Sequence, residues 1–418
     1  MAELDLTNIA AASIDTPAAG VVAVFVDTAD KRVKSKDENG VLSTLANDGL
    51  QDRNIVINGG MSIQQRVATA STAIPSVSTT TRAGQVADRW AVTTSVASNL
   101  NWAQIDTAGA QETNLQSRYY GSIISSTAGK KVMLSQFVLG SETAHLRGQK
   151  VRVSIKHNQK VGSGQTYRLG LLALGVGGTV DVSPAFLTGA WSATASVDPV
   201  WGTNLTAITP DAAPVGENGT ITGAYLNVTT VAVTWTRSSA VFTIPTSAKN
   251  LVVVFFSDAT GGTTDNISLS EVQMTQGPDI VDYVEPPFAE TLVRCQQFFN
   301  KSFPLTVVPA ASLSEATAGS GATGMIGKAV AAVLAADYSI LFPVTMWKTP
   351  TVTYFTPTVA GAQCFRYTGA AAAVLTATAT RTNSITNRGC VVTATGDAAG
   401  AVGDLVGVHY TAEAEFIL

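Results

Sequence analysis

Three histidines, His145, His157 and His409, are the only imidazoles in 418 residues. None stands in His-x-x-x-His spacing or beside the cysteines and carboxylates that would complete a zinc site or a nucleophile–base pair. His157 follows a strand with polar outward residues, so it is expected at the solvent face. Cys295, Cys364 and Cys390 are an odd set without metal-ligand spacing. The run Gly319-Ser-Gly-Ala-Thr-Gly-Met-Ile-Gly-Lys328 has the composition of a phosphate loop. Its spacing is wrong, because Ala322 takes the place of the first required glycine and Ala329 that of the Ser or Thr. A flexible loop accounts for it better. No Gly-x-Ser-x-Gly elbow is present. Glycoside hydrolysis needs two carboxylates facing across a cleft, and the acids here fall mostly in turns or beside basic residues. The expectation is a protein without catalytic residues, cofactor or committed metal site.

Sugar binding is the better chemical candidate. Aromatic rings stack on the apolar faces of pyranoses, and Trp191 and Trp201 lie in the turn-rich stretch Pro184 to Gly219, where no strand pattern buries them. They are the first choice for a glycan platform, with Tyr225 behind them. The competing and commoner reading of such rings is core-capping or interface packing.

The elements that would position these residues are mostly strands. Val151, Val153 and Ile155 alternate with Arg152, Ser154 and Lys156, a half-buried strand. Val231, Val233 and Trp235 share one face, as do Phe242 and Ile244. Leu251 to Phe256 is apolar on both faces and reads as a central strand. Ile267 and Leu269 have one parity and Val272 and Met274 the other, which predicts a bulge near Ser270–Glu271. Residues 51–284 therefore read as a two-sheet jelly-roll sandwich. Val21–Val26, Lys31–Lys36 and Val41–Leu45, with turns at Asp27–Asp30 and Asn39-Gly40, read as a small meander over residues 1–50. So small a unit needs a partner to bury surface.

The strong helix signal lies in 285–302. Pro286 and Pro287 suit a first turn. Phe288, Leu292, Cys295 and Phe299 then recur at spacings of four, three and four, one apolar stripe. Glu290 and Arg294 form an i,i+4 pair aligned with the helix dipole. This connector joins the sandwich to a C-terminal β domain, 303–418, and its stripe is the candidate subunit interface. Small residues from Ala370 to Thr380 would allow close chain approach. The fold class is all-β, with one short helix between two sandwiches.

Charged residues are 13% of the chain, about half the usual ~25%, while apolar residues reach an ordinary 45%. Such a surface suits a permanent assembly. The net charge of −4 argues against a nucleic-acid partner. Lys31, Arg32, Lys34 and Lys36 are flanked by Asp27, Asp30, Asp37 and Glu38, a solvated hairpin rather than a phosphate patch. The first residues carry neither a basic nor an apolar signal region, and no apolar run is long enough to insert into a membrane. Synthesis in the cytoplasm is expected.

The run Val281 to Ser302, with its Pro-rich stretch and Cys295-Gln-Gln-Phe-Phe299, resembles a segment of tailed-bacteriophage fibre and other virion structural proteins. Asn54-Ile-Val-Ile-Asn-Gly-Gly-Met-Ser-Ile-Gln-Gln-Arg66, followed by Ala87-Asp-Arg-Trp90, is similar to the opening of a jelly-roll module common in them. Thr16 to Asp27 with Asp37-Glu-Asn-Gly40 resembles their N-terminal region. Phe342 to Thr353 and Tyr410 to Glu415 resemble their C-terminal β domain. The resemblance covers most of the chain in the family's order. It implies a virion location, a homotrimer, attachment to other virion proteins through residues 1–50, and host-surface glycan recognition by a tail fibre or spike. A head fibre or capsid decoration protein is the first alternative, and a polysaccharide depolymerase a more distant one. It further implies a strand running towards Phe342 where the Ala-rich stretch Lys328 to Ala336 favours helix by composition. Related modules hold a structural calcium, to which Asp265 and Glu271 would contribute.

Overall fold

A computed structural model of the chain describes residues 8–10, 13–27, 33–36, 38, 42–44, 53–66, 72–77, 84–95, 98–108, 114–125, 131–161, 166–175, 186–188, 191, 198–202, 204–212, 218–229, 234–258, 266–309, 325–328, 335–355, 365–367, 379–395 and 405–415. These divide into two compact units: residues 1–54 with 275–277, and residues 55–274 with 278–418. In the first, Asn8–Ile9 runs parallel to Ala23–Asp27, which pairs antiparallel with Val33–Lys36, and that with Leu42–Thr44. Phe25 is buried, while Val21, Val22 and Val24 are exposed. The meander is as expected; its Asn39-Gly40 turn lies outside the described residues.

The second unit holds the expected antiparallel sandwich. One sheet has eight strands in the order Thr220–Thr222, Tyr225–Thr229, Thr166–Leu174, Asn250–Ser257, Val132–Val138, Trp90–Thr94 and Gly84–Gln85, with Leu205–Ile208 also pairing Thr166–Leu174. The facing sheet runs Pro210–Ala212, Thr236–Thr243, Lys150–Val161, Asn266–Gln276, Tyr119–Ser125, Ser98–Asp106 and Thr72–Val77. Val151, Val153, Ile155, Phe242 and Ile244 point into the core between them. Asn250–Ser257 is central and buried along its whole length. Leu251, Val253 and Phe255 enter that core, whereas Val252, Val254 and Phe256 join a second apolar cluster. The eight-stranded sheet is thus covered on both faces, which is why this strand is apolar at every position.

The predicted phase slip is present. Glu271 has φ of 49°, a left-handed residue inside the Asn266–Gln276 strand, and both Leu269 and Val272 face the core. His157, expected in solvent, is instead fully buried: its Nε2 lies 2.9 Å from Ser238 Oγ and its ring stacks on Phe255. It continues the inward parity of Val151, Val153 and Ile155. Nor is the outer face of this strand open to water. Arg152 donates from Nε to Pro278 O at 2.9 Å, so the strap after the Asn266–Gln276 strand covers it.

The helix is Phe288–Gln296, capped at Pro287, shorter than the expected 285–302. Cys295, with Leu292 alongside, packs on Ile57, Ile63 and Phe298. Phe299 is not on the helix; it opens the strand Phe299–Lys301, pairing with Glu413. Backbone pairing with the C-terminal strand overrides the helical spacing. The stripe is therefore used within the chain, and only Phe288, 47% exposed, faces outward. Beyond it, Leu405–Glu413 pairs with Phe299–Lys301, Met325–Lys328, Thr351–Phe355 and Phe365–Tyr367. Ala335–Leu341, Gly389–Thr395 and Ala379–Thr386 form a further sheet. Ala335–Leu341 is a strand leading to Phe342, while residues 329–334 of the Ala-rich stretch lie outside the described residues. Tyr410, Ala412 and Ala414 share a core with Ile340, Phe342, Met346 and Val392. Residues 370–378, Val231, Val233 and the Gly-rich stretch before Met325 lie outside the described residues.

A charged cluster joins the opening of the sandwich to the C-terminal strand. Arg66 reaches Glu413 through Nε at 3.2 Å and Nη2 at 2.9 Å, and Asp88 at 3.5 Å. Arg89 pairs with Glu415, donates to Phe137 O at 2.6 Å, and lies 3.4 Å over the Phe298 ring. Burial works against the Arg66 charge, but Glu413, Asp88 and Glu415 together raise its pKa. Replacing Arg89 with Met should take from buried Glu415 its shorter ion pair, leaving Arg66 at 3.8 Å, and cost about 3–5 kcal/mol in chemical denaturation. The pair Arg89→Met with Glu415→Leu should cost clearly less; equal losses would contradict the pairing. Burial also holds His157 down at about 4. Its folded pKa lies below the unfolded value of ~6.5, so its contribution is complete above that pH and is lost as pH falls towards 4. Burial holds His409 down to about 4 as well, so stability should fall with pH across this window, His157 contributing up to about 1.4 kcal/mol per unit, a share that His157→Gln removes.

Candidate functional site

Outside the eight-stranded sheet, the turn-rich excursion folds back over Phe256. Leu187 and Trp201 form a β-bridge, Thr188 N donates to Val200 O at 2.9 Å, and Gly202 N to Phe186 O at 2.9 Å. This clasp holds Trp201 on Phe256, where Trp191 and Tyr225, the latter from the strand Tyr225–Thr229, also pack. Trp191, Trp201 and Tyr225 meet Phe256 with centroids 5.7, 6.2 and 5.1 Å away, all near edge-on. Trp201 Nε1 donates to Tyr225 Oη at 2.7 Å. The structure thus brings together all three aromatic residues proposed from sequence. It also corrects their expected exposure: Trp191 is only 3% exposed and Tyr225 is buried, while Trp201 is half-buried. A sheet apolar on both faces needs this second layer, and these rings supply it.

Gly170 makes room for the arrangement. A Cβ there would stand 2.7 Å from Tyr225 Cδ1, so only glycine lets that ring lie against the sheet. Charged groups border the rings. Arg168 stands opposite Asn227 and Phe256 on the neighbouring strands. Its guanidinium pairs with Asp198 through Nη1 and with Asp258 through Nη2 at 2.9 Å, and lies 5.8 Å from the Tyr225 ring. Lys131 is fully buried, its Nζ 5.4 Å from the Trp191 ring. Burial lowers its pKa, against the pull of Asp258. Burial raises that of Tyr225, and the hydrogen bond from Trp201 works the other way.

The surface of this cluster is formed by Val200, 65% exposed, the Asp198 side chain, 46% exposed, and the open part of Trp201, with Thr222 nearby. Asn227 Nδ2 donates to Thr222 Oγ1 at 2.9 Å. Two buried polar atoms, Arg168 Nε and Asn227 Oδ1, have no hydrogen-bond partner among the described residues. An aromatic edge beside a carboxylate, a guanidinium and an amide can contact both the C–H face and the hydroxyls of a sugar. Asp198 and Asp258 are both turned onto one guanidinium, not onto each other across a cleft. Sequence reasoning missed Arg168 and its partners. The available signal was an arginine inside the otherwise apolar Leu-rich strand Thr166–Leu174.

The other candidates are placed elsewhere. Glu271 accepts from Ser117 N at 2.9 Å and pairs with Lys156 at 2.9 Å, so an ammonium occupies its cation position. Asp265 lies outside the described residues, among which no group of three or more His, Cys, Asp or Glu is placed to hold a metal. His145 is exposed. His409 is buried, its Nδ1 3.0 Å from Ser302 Oγ and its ring stacked 4.6 Å from Phe303. Cys295 and Cys390 are buried free thiols. Among the described residues no helix is long and apolar enough to cross a membrane.

No family model matches the chain, and no curated protein does. Among solved structures, similar ones include carbohydrate-binding modules and a phage tailspike. TmCBM61 in complex with beta-1,4-galactotriose is 11% identical over 54% of this chain and 99% of its own, with a TM-score of 0.29. The CBM22-1-GH10 modules of Clostridium thermocellum xylanase 10B are 14% identical over 53% of this chain, TM-score 0.27, and the match spans 30% of that structure. Tailspike protein 4 of bacteriophage CBA120, enzymatically active domain, is 13% identical over 49% of this chain and 22% of its own, TM-score 0.27.

Replacing Gly170 with Ala should push Tyr225 off the sheet and cost about 1–3 kcal/mol as overpacking. Tyr225→Phe, which removes only the acceptor of the Trp201 bond, should cost about 1 kcal/mol. Denaturation midpoints of the two variants check this order; an unperturbed Gly170→Ala would show that the ring does not need the glycine.

Proposed function

We propose that the protein is a non-enzymatic structural component of a tailed-phage virion, a tail fibre or spike that takes part in recognising host-surface glycan. The observation that carries the recognition part is the ring cluster of Trp201, Tyr225 and Trp191 around Phe256, bordered by buried Arg168, half-buried Asn227 and exposed Asp198. Trp201 is the ring that a sugar touches, held by the Phe186 ring at 5.5 Å and by its hydrogen bond to Tyr225. The virion part is supported by the order of fibre-like stretches along the sequence and by the low charge. In this reading residues 1–50 attach the protein to the particle and the chain assembles as a homotrimer. Its subunit contacts use the exposed Val284, Phe288 and Val293, since Leu292, Cys295 and Phe299 are engaged within the chain.

Purified protein bound to host envelope polysaccharide tests the reading. Trp201→Ala should weaken binding roughly 30-fold, the scale of a hot-spot aromatic at about 2 kcal/mol, while Trp201→Phe retains most of it. Thermal unfolding of both variants separates lost contact from lost fold. Undiminished binding by folded Trp201→Ala removes the site. Oligosaccharides released in proportion to protein would show an enzyme instead. Light scattering should give three chains per particle in solution, and a stable monomer would contradict the trimer.

A further inference from the structure

Resting on that reading, we propose that the Trp201 site selects neutral over anionic glycans. The four charged side chains gathered there cancel: Lys131 and Arg168 stand against Asp198 and Asp258. Arginine usually captures a carboxylate with two parallel N–H donors. Here Nη1 and Nη2 of Arg168 each already hold an aspartate, so no such fork is left for a ligand. Lys131 is fully buried beside Trp191 and offers no surface cation. The charge that an arriving ligand meets first is Asp198, the most exposed of the four, and it repels anions.

Two polar atoms add a second, independent indication. Among the described residues, Arg168 Nε carries an N–H without an acceptor, and Asn227 Oδ1 is an acceptor without a donor. Their residues are direct cross-strand neighbours. Each is tethered to an exposed residue, Arg168 to Asp198 and Asn227 to Thr222, and a ligand that displaces a tether reaches them. One donor and one acceptor on facing residues of adjacent strands match a hydroxyl, which both accepts and donates. An ionised carboxylate or sulfate only accepts, and would leave Asn227 Oδ1 unmet at the cost of a buried unsatisfied group.

An array of neutral, uronate-bearing, sialylated and sulfated glycans, probed with the full chain, decides the matter. The glycans bound should be neutral, and carboxyl reduction of a uronate-containing polysaccharide should raise its binding at least tenfold. Asp198→Asn removes the outermost negative charge and half-frees the Arg168 fork, so it should shift the preference towards uronates by roughly tenfold. Asp198→Glu, which keeps the charge, should retain the wild-type order. Preferential binding of anionic glycans by the unmutated protein overturns the proposal while leaving glycan recognition standing. So do identical preferences in Asp198→Asn and Asp198→Glu. Binding to no glycan at all overturns the recognition reading, and this one with it.

Discussion

The buried ion cluster of Arg66, Asp88, Arg89, Glu413 and Glu415 is the constraint on which the larger unit depends. Charges this deep are tolerated only when each finds a partner of opposite sign, because desolvation otherwise costs several kcal/mol per ion. The two arginines come from the start of the sandwich; Glu413 ends the last strand and Glu415 lies just past it, more than three hundred residues away. Neither end can settle until the other arrives. Asn58 prepares the near side: its side chain donates to Ile63 O at 2.9 Å and Asp88 O at 3.0 Å, and its own carbonyl accepts from Trp90 Nε1 at 3.0 Å. Lys301 closes the cluster by donating to the carbonyls of Gln65, Leu305 and Val307. The helix Phe288–Gln296 then lies over this junction as a lid of the core rather than as a free spacer.

A second constraint follows from Asn250–Ser257. A strand apolar at every position cannot leave one face wet, so the eight-stranded sheet requires an outer layer. The excursion after residue 184 supplies it with Phe186, Leu187, Trp191 and Trp201, and Trp347 packs on the same cluster. The candidate recognition site is therefore a by-product of core building: rings recruited to cover Phe256 leave one partly open edge. That origin also explains its charge balance. Arg168 crosses an apolar surface and must be neutralised where it lies, which Asp198 and Asp258 do. On the recognition reading proposed above, a site assembled this way would suit ligands whose contacts are made by shape and hydroxyls over those attracted by charge.

The period-two patterns, the doubly apolar strand, the parity slip at Ser270–Glu271 and the proline-led helix were all legible in the sequence, because each is a local signal whose period reports which face is buried. So was the aromatic content of the excursion. The misreadings share one cause: local spacing does not say which neighbour will claim a side chain. His157 obeyed the inward parity of its strand, but its polarity suggested water, and only the opposing sheet with Phe255 and Ser238 decided otherwise. Phe299 fitted a helical stripe until pairing with Glu413 drew it into a strand. Trp191 lay in a stretch with no strand pattern and was buried all the same, by a sheet face that the stretch itself does not contain. Arg66, Asp88, Arg89, Glu413 and Glu415 could not be joined from sequence, since opposite charges hundreds of residues apart carry no register. The sequence by itself determined the class of fold and the faces of its strands; the tertiary structure decided which charges meet, which rings stay partly open and where the site lies, because those outcomes depend on long-range partners that local periodicity does not encode.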